Sequence, residues 1–242
     1  MAGRKRWSGI ERELRAAHGP FLAGVDEVGR GPLAGPVVAC AVIMPPDRRA
    51  IAGVDDSKRL TESDRVRLAG RIRESALAIG IGASSVREID TYNIYHASTR
   101  AIRRAIRRLH RPPDHVVLDG NPIRTLEIAH TAVVQGDSRC YGIACASIIA
   151  KVLRDDLMHR LAERYPAYGW ERNAGYATAE HIAVLDSIGG SPHHRTSFRS
   201  KQFELLFDDL AVGSEAPGGE AVTPLSGGRR GPREVQMGSA AG

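Results

Sequence analysis

The sequence contains only three cysteines, Cys40, Cys140 and Cys145. Their number is odd, their spacing matches no metal-binding pattern, and each lies in an apolar segment. These features exclude a disulfide framework and a cysteine-based zinc site, because both need paired or clustered cysteines. We therefore expect three buried thiols in a reducing compartment.

Long apolar runs are also absent. No segment approaches the roughly 20 apolar residues that a membrane-spanning helix needs. The amino-terminal stretch MAGRKRWSGIEREL contains no apolar core of a signal peptide. We expect a cytoplasmic protein that does not associate with membranes.

Acidic residues are outnumbered by basic ones. Aspartate and glutamate total 28 and lysine and arginine 34, which gives a net charge of +6. The pI is near 9.5. This excess favours a polyanionic partner such as a nucleic acid, and it is equally compatible with an arginine-rich, solvated surface.

Apolar runs and helical periodicity alternate through the middle of the chain. Five apolar runs predict strands, at 21–25, 34–44, 76–86, 115–120 and 131–137. Three longer stretches predict helices, at 56–76, 91–110 and 143–165, and Thr61 and Asp64 have capping-box spacing. Three strands followed by alternating helices and short buried strands indicate an α/β fold on a mixed sheet.

Composition divides the chain into three parts. Residues 1–20 form a basic amino-terminal segment, and residues 21–212 form one folded unit. Residues 213–242 are dominated by Gly, Ser, Ala and Pro, which bury too little apolar area to offset the entropy of ordering. We predict a disordered tail there.

Four acidic residues, Asp26, Glu27, Asp119 and Asp137, lie at or just beyond the carboxyl ends of predicted strands. Ligands bind α/β sheets at these ends, and converging acids repel one another unless cations lie among them. Oxygen ligands without histidine or cysteine suit Mg²⁺ or Mn²⁺, and two such ions about 3.5–4 Å apart cleave phosphodiesters in nucleases. Asp119 and Asp137 also fit as turn formers or helix caps, whereas a turn needs only one of Asp26 and Glu27.

Seven sequence blocks occur in an order found in one enzyme family. They are GVDEVGRGPLAGPV, DSKRLTE, EIDTYNI, VVLDGN, GDSR with IACASIIAKVLRD, GYAT and HHRTSF, and they span roughly residues 22–198. In these blocks the chain resembles bacterial ribonuclease HII. The resemblance implies a ribonuclease H-like fold, with a mixed five-stranded sheet flanked by helices and a helical carboxyl-terminal extension. It also implies a divalent-metal-dependent endonuclease that cleaves RNA in RNA/DNA hybrids and single ribonucleotides embedded in duplex DNA, in ribonucleotide removal and RNA primer removal.

The resemblance also implies roles for particular residues. Asp26, Glu27, Asp119 and Asp137 match the family's catalytic carboxylates, and the first three match its ligands for Mn²⁺ or Mg²⁺, two ions acting during catalysis. The implied substrate contacts are the backbone of Gly29, Arg30 and Gly31 at the ribose 2′-OH, Tyr176 at the neighbouring sugar, and Arg30, Lys58 and Arg139 at phosphates. The chain departs from the family at Gln135 and Ala174, where many relatives carry lysine, so we expect weaker phosphate contacts there.

Two alternatives remain open. A non-catalytic nucleic-acid-binding module on the same fold would be expected to have lost an acid, and all four are present. The sister enzyme ribonuclease HIII carries an additional amino-terminal domain, and only about twenty residues precede the first predicted strand here. We expect a monomer that binds RNA/DNA hybrids and DNA containing ribonucleotides. Gln202, Leu205 and Phe207 loosely resemble a sliding-clamp-binding peptide, although the end of an amphipathic helix is the favoured interpretation of this stretch.

Overall fold

The protein is described here by a computed structural model, which covers Trp7 and residues 9–198. Its centre is a five-stranded sheet in the order β3-β2-β1-β4-β5. The strands are β1 (Leu22–Val28), β2 (Val37–Ile43), β3 (Ala78–Ser84), β4 (His115–Asp119) and β5 (His130–Val133). β2 pairs antiparallel with β1 and β3, whereas β4 pairs parallel with β1 and β5. The mixed five-stranded sheet predicted from the sequence is confirmed.

Helices flank the sheet. In the described residues they are α1 (Ile10–His18), α2 (Glu62–Ser75), α3 (Val86–Arg107), α4 (Gly136–Arg139), α5 (Tyr141–Arg164), α6 (Trp170–Asn173) and α7 (Ala179–Ile188). Short 3-10 turns lie at Ser57–Arg59, Arg124–Leu126, Pro166–Tyr168 and Thr196–Phe198. α6, α7 and the last two turns follow the sheet in the chain, which agrees with the expected helical carboxyl-terminal region.

The core lies on both faces of the sheet, because successive side chains of a strand point to opposite faces. On β2, Ala39 and Ala41 pack towards α3, whereas Cys40 and Val42 pack towards α2 and α5. α5 approaches β1 closely at Gly24, where a Cβ atom would lie 2.1 Å from the carbonyl carbon of Gly142. Any larger residue at this position of β1 would therefore push α5 away from the strand that carries the candidate site.

α1 lies within residues 1–20, which the sequence analysis describes only as a basic segment. Ile10 and Leu14 pack against a small apolar cluster that includes Ile143. The Glu11 carboxylate accepts a 2.7 Å hydrogen bond from the backbone N–H of Gly142. Two apolar residues one turn apart are too short a pattern to predict a helix. The contact with α5 stabilises α1, because a short helix depends mainly on tertiary packing.

Two predicted helices have different bounds in the structure. The predicted helix at 56–76 is a 3-10 turn followed by α2, and the Thr61 side chain accepts a hydrogen bond from Asp64 N, which confirms its capping role. α3 begins at Val86, five residues before the predicted start, with Ser85 and Glu88 forming a capping box. α3 is also interrupted at Asn93, whose φ of 64° is not helical.

β5 ends at Val133, earlier than predicted. Gln135 has a left-handed backbone (φ 56°), and α4 begins at the next residue. A left-handed residue cannot continue a strand, so the chain turns there. The predicted position of Asp137 at the end of the fifth strand is therefore wrong, because Asp137 lies in the first turn of α4.

The predicted tail at 213–242, the boundary after residue 212 and the clamp-like residues Gln202, Leu205 and Phe207 lie outside the described residues. Within the described part of the chain, no helix combines the length and the apolar character needed to cross a membrane. The three cysteines are buried and form no disulfide, as predicted.

Candidate active site

The three carboxylates predicted as metal ligands lie at the ends of adjacent strands. β1 and β4 run parallel with Val25 beside Leu118, so the next residue on each strand is an acid, Asp26 on β1 and Asp119 on β4. Glu27 follows Asp26 on β1. The sheet therefore brings these three acids to one edge, as the alternation of strands and acids predicts.

The fourth carboxylate arrives from a helix. α4 carries Asp137 in its first turn, and the N–H of the preceding residue, Gly136, donates a 2.6 Å hydrogen bond to Asp119 Oδ1. Asp137 is buried, and its Oδ2 lies 3.3 Å from Lys58 Nζ. Burial lowers the pKa of Lys58, but the combined attraction of Asp137, Asp56 and Asp26 outweighs burial, so the pKa is raised. Lys58 thus lies beside the acids, with a side chain that is 80% exposed.

Burial and mutual repulsion raise the pKa values of the strand carboxyls. Asp26 is only 8% exposed, and burial, reinforced by Glu27 and Asp119, raises its pKa well above the usual range. Burial also raises the pKa of Glu27, against the opposing attraction of Arg30, and that of Asp119. Holding these acids together as carboxylates costs free energy that a bound cation would offset.

A pair of serines supports Asp26. Ser147 on α5 hydrogen-bonds the Asp26 side chain, and Ser147 Oγ lies 2.9 Å from Ser57 Oγ. Ser57 opens the 3-10 turn that carries Lys58. Ser147 lies within the block IACASIIAKVLRD, but nothing local to a helix shows which strand residue a side chain will face, so the sequence does not indicate its contact with Asp26.

The loop that starts at Gly29 is held from inside the protein by Arg195. The Arg195 guanidinium donates hydrogen bonds to the carbonyls of Gly29 (2.5 Å), Arg30 (2.9 Å) and Gly35 (2.7 and 3.0 Å). Gly29 itself needs to be glycine, since its φ is 89° and a Cβ atom would lie 2.2 Å from Arg154 Nε. Because Arg195 engages the Gly29 and Arg30 carbonyls, the loop amides are the better candidates for contact with substrate.

Arg154 holds the rest of the same loop. It is fully buried, and it donates hydrogen bonds to the carbonyls of Ala34 (3.0 Å), Pro36 (3.1 Å) and Ala174 (3.0 Å). Neither Arg154 nor Arg195 was singled out from the sequence. Their partners are distant in the chain and are backbone atoms, so no side-chain pattern could have indicated them.

Tyr176 lies next to Gly31. A Cβ atom on Gly31 would lie 3.7 Å from Cε1 of the tyrosine ring, and that ring is half exposed. The backbone N–H groups of Leu33 and Ala34 donate to the carbonyl of Gly175. The fold therefore brings together the two motifs to which the resemblance assigns recognition of the ribonucleotide.

A cleft of about 330 Å³ opens beside the carboxylates. Glu27, Arg30 and Asp119 line one part of it, and Tyr95, Ser98 and Asn121 are among the other lining residues that the sequence analysis missed. Arg30, whose side chain is 52% exposed, lies 3.1 Å from Glu27 Oε1. Arg139 is on α4 with Asp137, and its guanidinium donates to the carbonyl of Val134.

The donor set suits a hard divalent cation, because the four acids offer only carboxylate oxygens as ligands. In the described residues, however, no three His, Cys, Asp or Glu side chains are placed closely enough to hold one ion together. Each strand acid instead has a polar partner, namely Glu27 N for Asp26, Arg30 for Glu27 and Gly136 N for Asp119. Small side-chain rotations, above all of Glu27 away from Arg30, would be needed to form a metal site.

Comparison with known proteins identifies this arrangement. The model of the family described as Ribonuclease HII matches residues 23–201 of the chain, a span that includes the carboxylates, the Gly29–Gly31 loop and Tyr176. The chain belongs to the ribonuclease HII family. This membership confirms the predicted resemblance and the predicted enzyme class, an endonuclease of the ribonuclease H type.

Curated relatives agree over most of their length. The ribonuclease HII of Granulibacter bethesdensis is 54% identical over 193 residues, which cover 78% of this chain and 86% of that protein. The ribonuclease HII of Rhodospirillum rubrum is 47% identical over 217 residues, covering 88% of this chain and 97% of the relative. Identity at this level over nearly whole chains favours ribonuclease HII over its sister enzyme.

Solved structures share the fold. The ribonuclease H2 of Pyrococcus horikoshii superposes with a TM-score of 0.64 at 24% identity, covering 78% of this chain and 99% of that one. Ribonuclease HII from Archaeoglobus fulgidus, solved in complex with PCNA, has a TM-score of 0.61 at 27% identity, with 73% and 94% covered. A Bst ribonuclease HIII solved with Mn²⁺ has a TM-score of 0.56 at 20% identity, with 70% and 63% covered.

Proposed function

We propose that this ribonuclease HII cleaves RNA in RNA/DNA hybrids and at single ribonucleotides within duplex DNA. The observation that carries the proposal is the juxtaposition of four carboxylates with the loop at Gly29–Gly31 and with Tyr176. The carboxylates suit phosphodiester hydrolysis, and a glycine loop beside an exposed aromatic ring suits contact with a sugar. One site thus combines hydrolytic groups with groups that can distinguish ribose from deoxyribose.

Asp26, Glu27 and Asp119 would hold Mg²⁺ or Mn²⁺, with Asp137 close by. The all-oxygen donor set and the raised pKa values of the three strand acids support this assignment, as does the Mn²⁺ bound by the related ribonuclease HIII. When bound, two such ions polarise the scissile phosphate and activate a water molecule. Ser147 would orient Asp26 during this process.

The substrate contacts would fall on the loop and on cationic side chains around the acids. The amides of the Gly29–Gly31 loop would meet the ribose 2′-OH, and the Tyr176 ring would pack on the sugar next to it. Arg30 would leave Glu27 for a phosphate, since half of its side chain is solvent-exposed. Lys58 and Arg139 would contact neighbouring phosphates.

The cellular role would be removal of ribonucleotides from DNA and of RNA primers. We place the protein in the cytoplasm as a monomer. The PCNA complex of the archaeal relative supports a contact with a sliding clamp, for which Gln202, Leu205 and Phe207 are the candidates. These three residues lie outside the described part of the chain.

Cleavage of a DNA duplex that contains one ribonucleotide tests the proposal. With Mg²⁺ or Mn²⁺ we expect a single cut beside the ribonucleotide, mapped to the nucleotide, and no cut in the matched all-DNA duplex. Excess chelator should abolish cleavage and Zn²⁺ should restore it poorly, since the site offers no imidazole or thiolate. Binding without cleavage in either metal would support the non-catalytic alternative, and cleavage in excess chelator would contradict the metal assignment.

A further inference from the structure

Two buried histidines lie behind Tyr176. His181, in the first turn of α7, is fully buried, and His194, in the segment after α7, is 8% exposed. Their Nε2 atoms lie 3.0 Å apart. His181 Nδ1 lies 2.8 Å from the carbonyl oxygen of Tyr176. The pair therefore connects the segment after α7 to the backbone of the residue proposed to contact the ribonucleotide sugar.

The partners of these rings determine which nitrogen carries each proton. The N–H of Ser191 donates to His194 Nδ1 at 2.8 Å, so His194 carries its proton on Nε2. A carbonyl can only accept, so His181 carries its proton on Nδ1, directed at Tyr176. His181 Nε2 is then the acceptor for both His194 Nε2–H and the indole N–H of Trp170, at 3.0 and 3.3 Å. The hydrogen bonds run in one direction, from Ser191 to Tyr176, and require both rings to be neutral.

We infer that His181 and His194 are positioning residues, which hold Tyr176 against Gly31 and so favour cleavage at single embedded ribonucleotides. This inference rests on the proposed role of Tyr176. The half-exposed ring contributes little burial to fix its own position, so its place depends on its backbone. His181 and the backbone N–H of Thr178 hold the Tyr176 carbonyl, at 2.8 and 2.9 Å, and the Asn173 carbonyl accepts from Tyr176 N at 2.8 Å.

Protonation of His181 would break this arrangement. A proton on Nε2 would face two donors, Trp170 Nε1 and His194 Nε2, in a buried place. Burial lowers the pKa of His181, and only the Tyr176 carbonyl opposes that shift. The neutral ring is thus the form that the fold favours.

The charged and titratable groups on the surrounding elements have other partners or contacts. Arg172 on α6 pairs with Glu180 on α7 at the surface. Tyr168 donates its hydroxyl proton to the Gly189 carbonyl, and Arg195 holds the loop at Gly29. His193 packs edge-on against Trp170, Tyr165 packs against both of these rings, and Arg154 of α5 donates to the Ala174 carbonyl.

Nuclear magnetic resonance of the full-length protein tests the geometry. The two tryptophans provide two indole N–H signals, and a Trp170→Phe variant assigns them. Long-range nitrogen correlations should show His181 as the Nδ1–H tautomer and His194 as the Nε2–H tautomer at neutral pH. The opposite tautomer at His181, or a charged ring at neutral pH, would overturn the inference.

The ratio of two cleavage rates tests the effect on substrate choice. Cleavage of a duplex with one ribonucleotide and cleavage of a uniform hybrid use the same carboxylates and metal. The ratio of the two rates therefore reports the contribution of Tyr176 to recognition of a single ribonucleotide. We expect His181→Leu to lower the ratio about tenfold, and His181→Asn, which keeps an N–H near the position of Nδ1, to restore part of it. His193→Gln is the matched control, since this neighbouring ring packs on Trp170 without any described bond to Tyr176, and it should leave the ratio unchanged.

The pH profile of that ratio separates positioning from general packing. In the wild type the ratio should be constant above about pH 6.5, the ordinary pKa of histidine, and fall at lower pH as His181 gains a proton. In His181→Asn the ratio should be flat. If Tyr176→Ala lowers the ratio and a folded His181→Leu does not, the inference is wrong and the proposed function stands. If the wild type cleaves neither substrate, the proposed function itself fails.

Discussion

Two groups of charged side chains adjoin the loop that begins at Gly29, the arginines Arg154 and Arg195 and the acids Asp26 and Asp119. The protein offsets the cost of burying their charges in different ways. Arg154 and Arg195 are 0% and 1% exposed, and all of their guanidinium nitrogens donate to backbone carbonyls. Burial and then repulsion by Arg154 lower the pKa of Arg195 to about 9, which leaves it charged at neutral pH. The acids Asp26 and Asp119 also accept hydrogen bonds, yet burial raises the pKa of each.

This difference separates a structural charge from a functional one. Arginines whose three guanidinium nitrogens each donate to a carbonyl hold one loop conformation and need no ligand to compensate their burial. Acids that are only partly satisfied, and that reach a cleft through Glu27 and Asp119, gain free energy when a cation binds. Loss of a charge should therefore affect stability in the first cluster and activity in the second.

Asp119→Asn gives the largest expected effect. The amide has nearly the same shape but adds no negative charge for the ions, so we expect cleavage to fall about a thousandfold while the fold and hybrid binding persist. Single-turnover cleavage and circular dichroism measure the two properties. Asp186→Asn, at an exposed position of α7, is the matched control. Near-normal turnover in Asp119→Asn would make Asp119 a turn residue.

Arg195→Met should act in the opposite way, through stability. It leaves the carbonyls of Gly29, Arg30 and Gly35 without their donor, and we expect unfolding free energy to fall by about 3 kcal/mol. Arg195→Lys should rescue little, because an ammonium cannot reach three carbonyls at once in the geometry of a guanidinium. Chemical denaturation checks this. Unchanged stability would mean that the loop holds its shape without Arg195.

Asp26→Asn should stabilise the protein at neutral pH in the absence of metal. The pKa of Asp26 is higher in the folded protein than in the unfolded chain, where it is near 3.8. Below pH 3.8 the carboxyl is protonated in both states and does not change the stability. As the pH rises through the folded pKa the buried carboxyl becomes charged, and the folded state loses stability. The melting temperature of Asp26→Asn should therefore match the wild type near pH 4 and exceed it near pH 7. A constant difference at both pH values would show that the carboxyl carries no such cost.

The smallest expected effect concerns the two positions where the chain lacks the family's lysines. Restoring Gln135→Lys and Ala174→Lys should steepen the slope of log affinity against log salt by about one unit for each lysine that binds a phosphate. Both residues have left-handed backbones, with φ of 56° and 46°, so lysine adds little new strain. Binding of a catalytically inactive Asp119→Asn variant to a hybrid measures the slope. An unchanged slope would mean that neither position faces the phosphate backbone.

Local sequence was sufficient for much of the fold and for the acidic part of the site. Apolar runs predict the five strands, and the acids at their ends predict an oxygen-rich site, because strands and side-chain alternation follow from local periodicity. Asp137 is the exception. The left-handed turn at Gln135 moves it from a strand end to α4, and a glutamine does not by itself indicate a left-handed backbone.

The family, the five strands and the placement of Asp26, Glu27 and Asp119 at strand ends thus follow from the sequence alone, because each depends on residues close together in the chain. That these acids meet depends on the parallel pairing of β1 with β4. How the loop that begins at Gly29 is held also depends on the tertiary structure. Arg195 reaches Gly29 across 166 residues of sequence and Arg154 reaches Ala34 across 120. Such contacts end on backbone atoms, which every residue type offers, so their specificity lies in three-dimensional position and leaves no mark in the order of side chains.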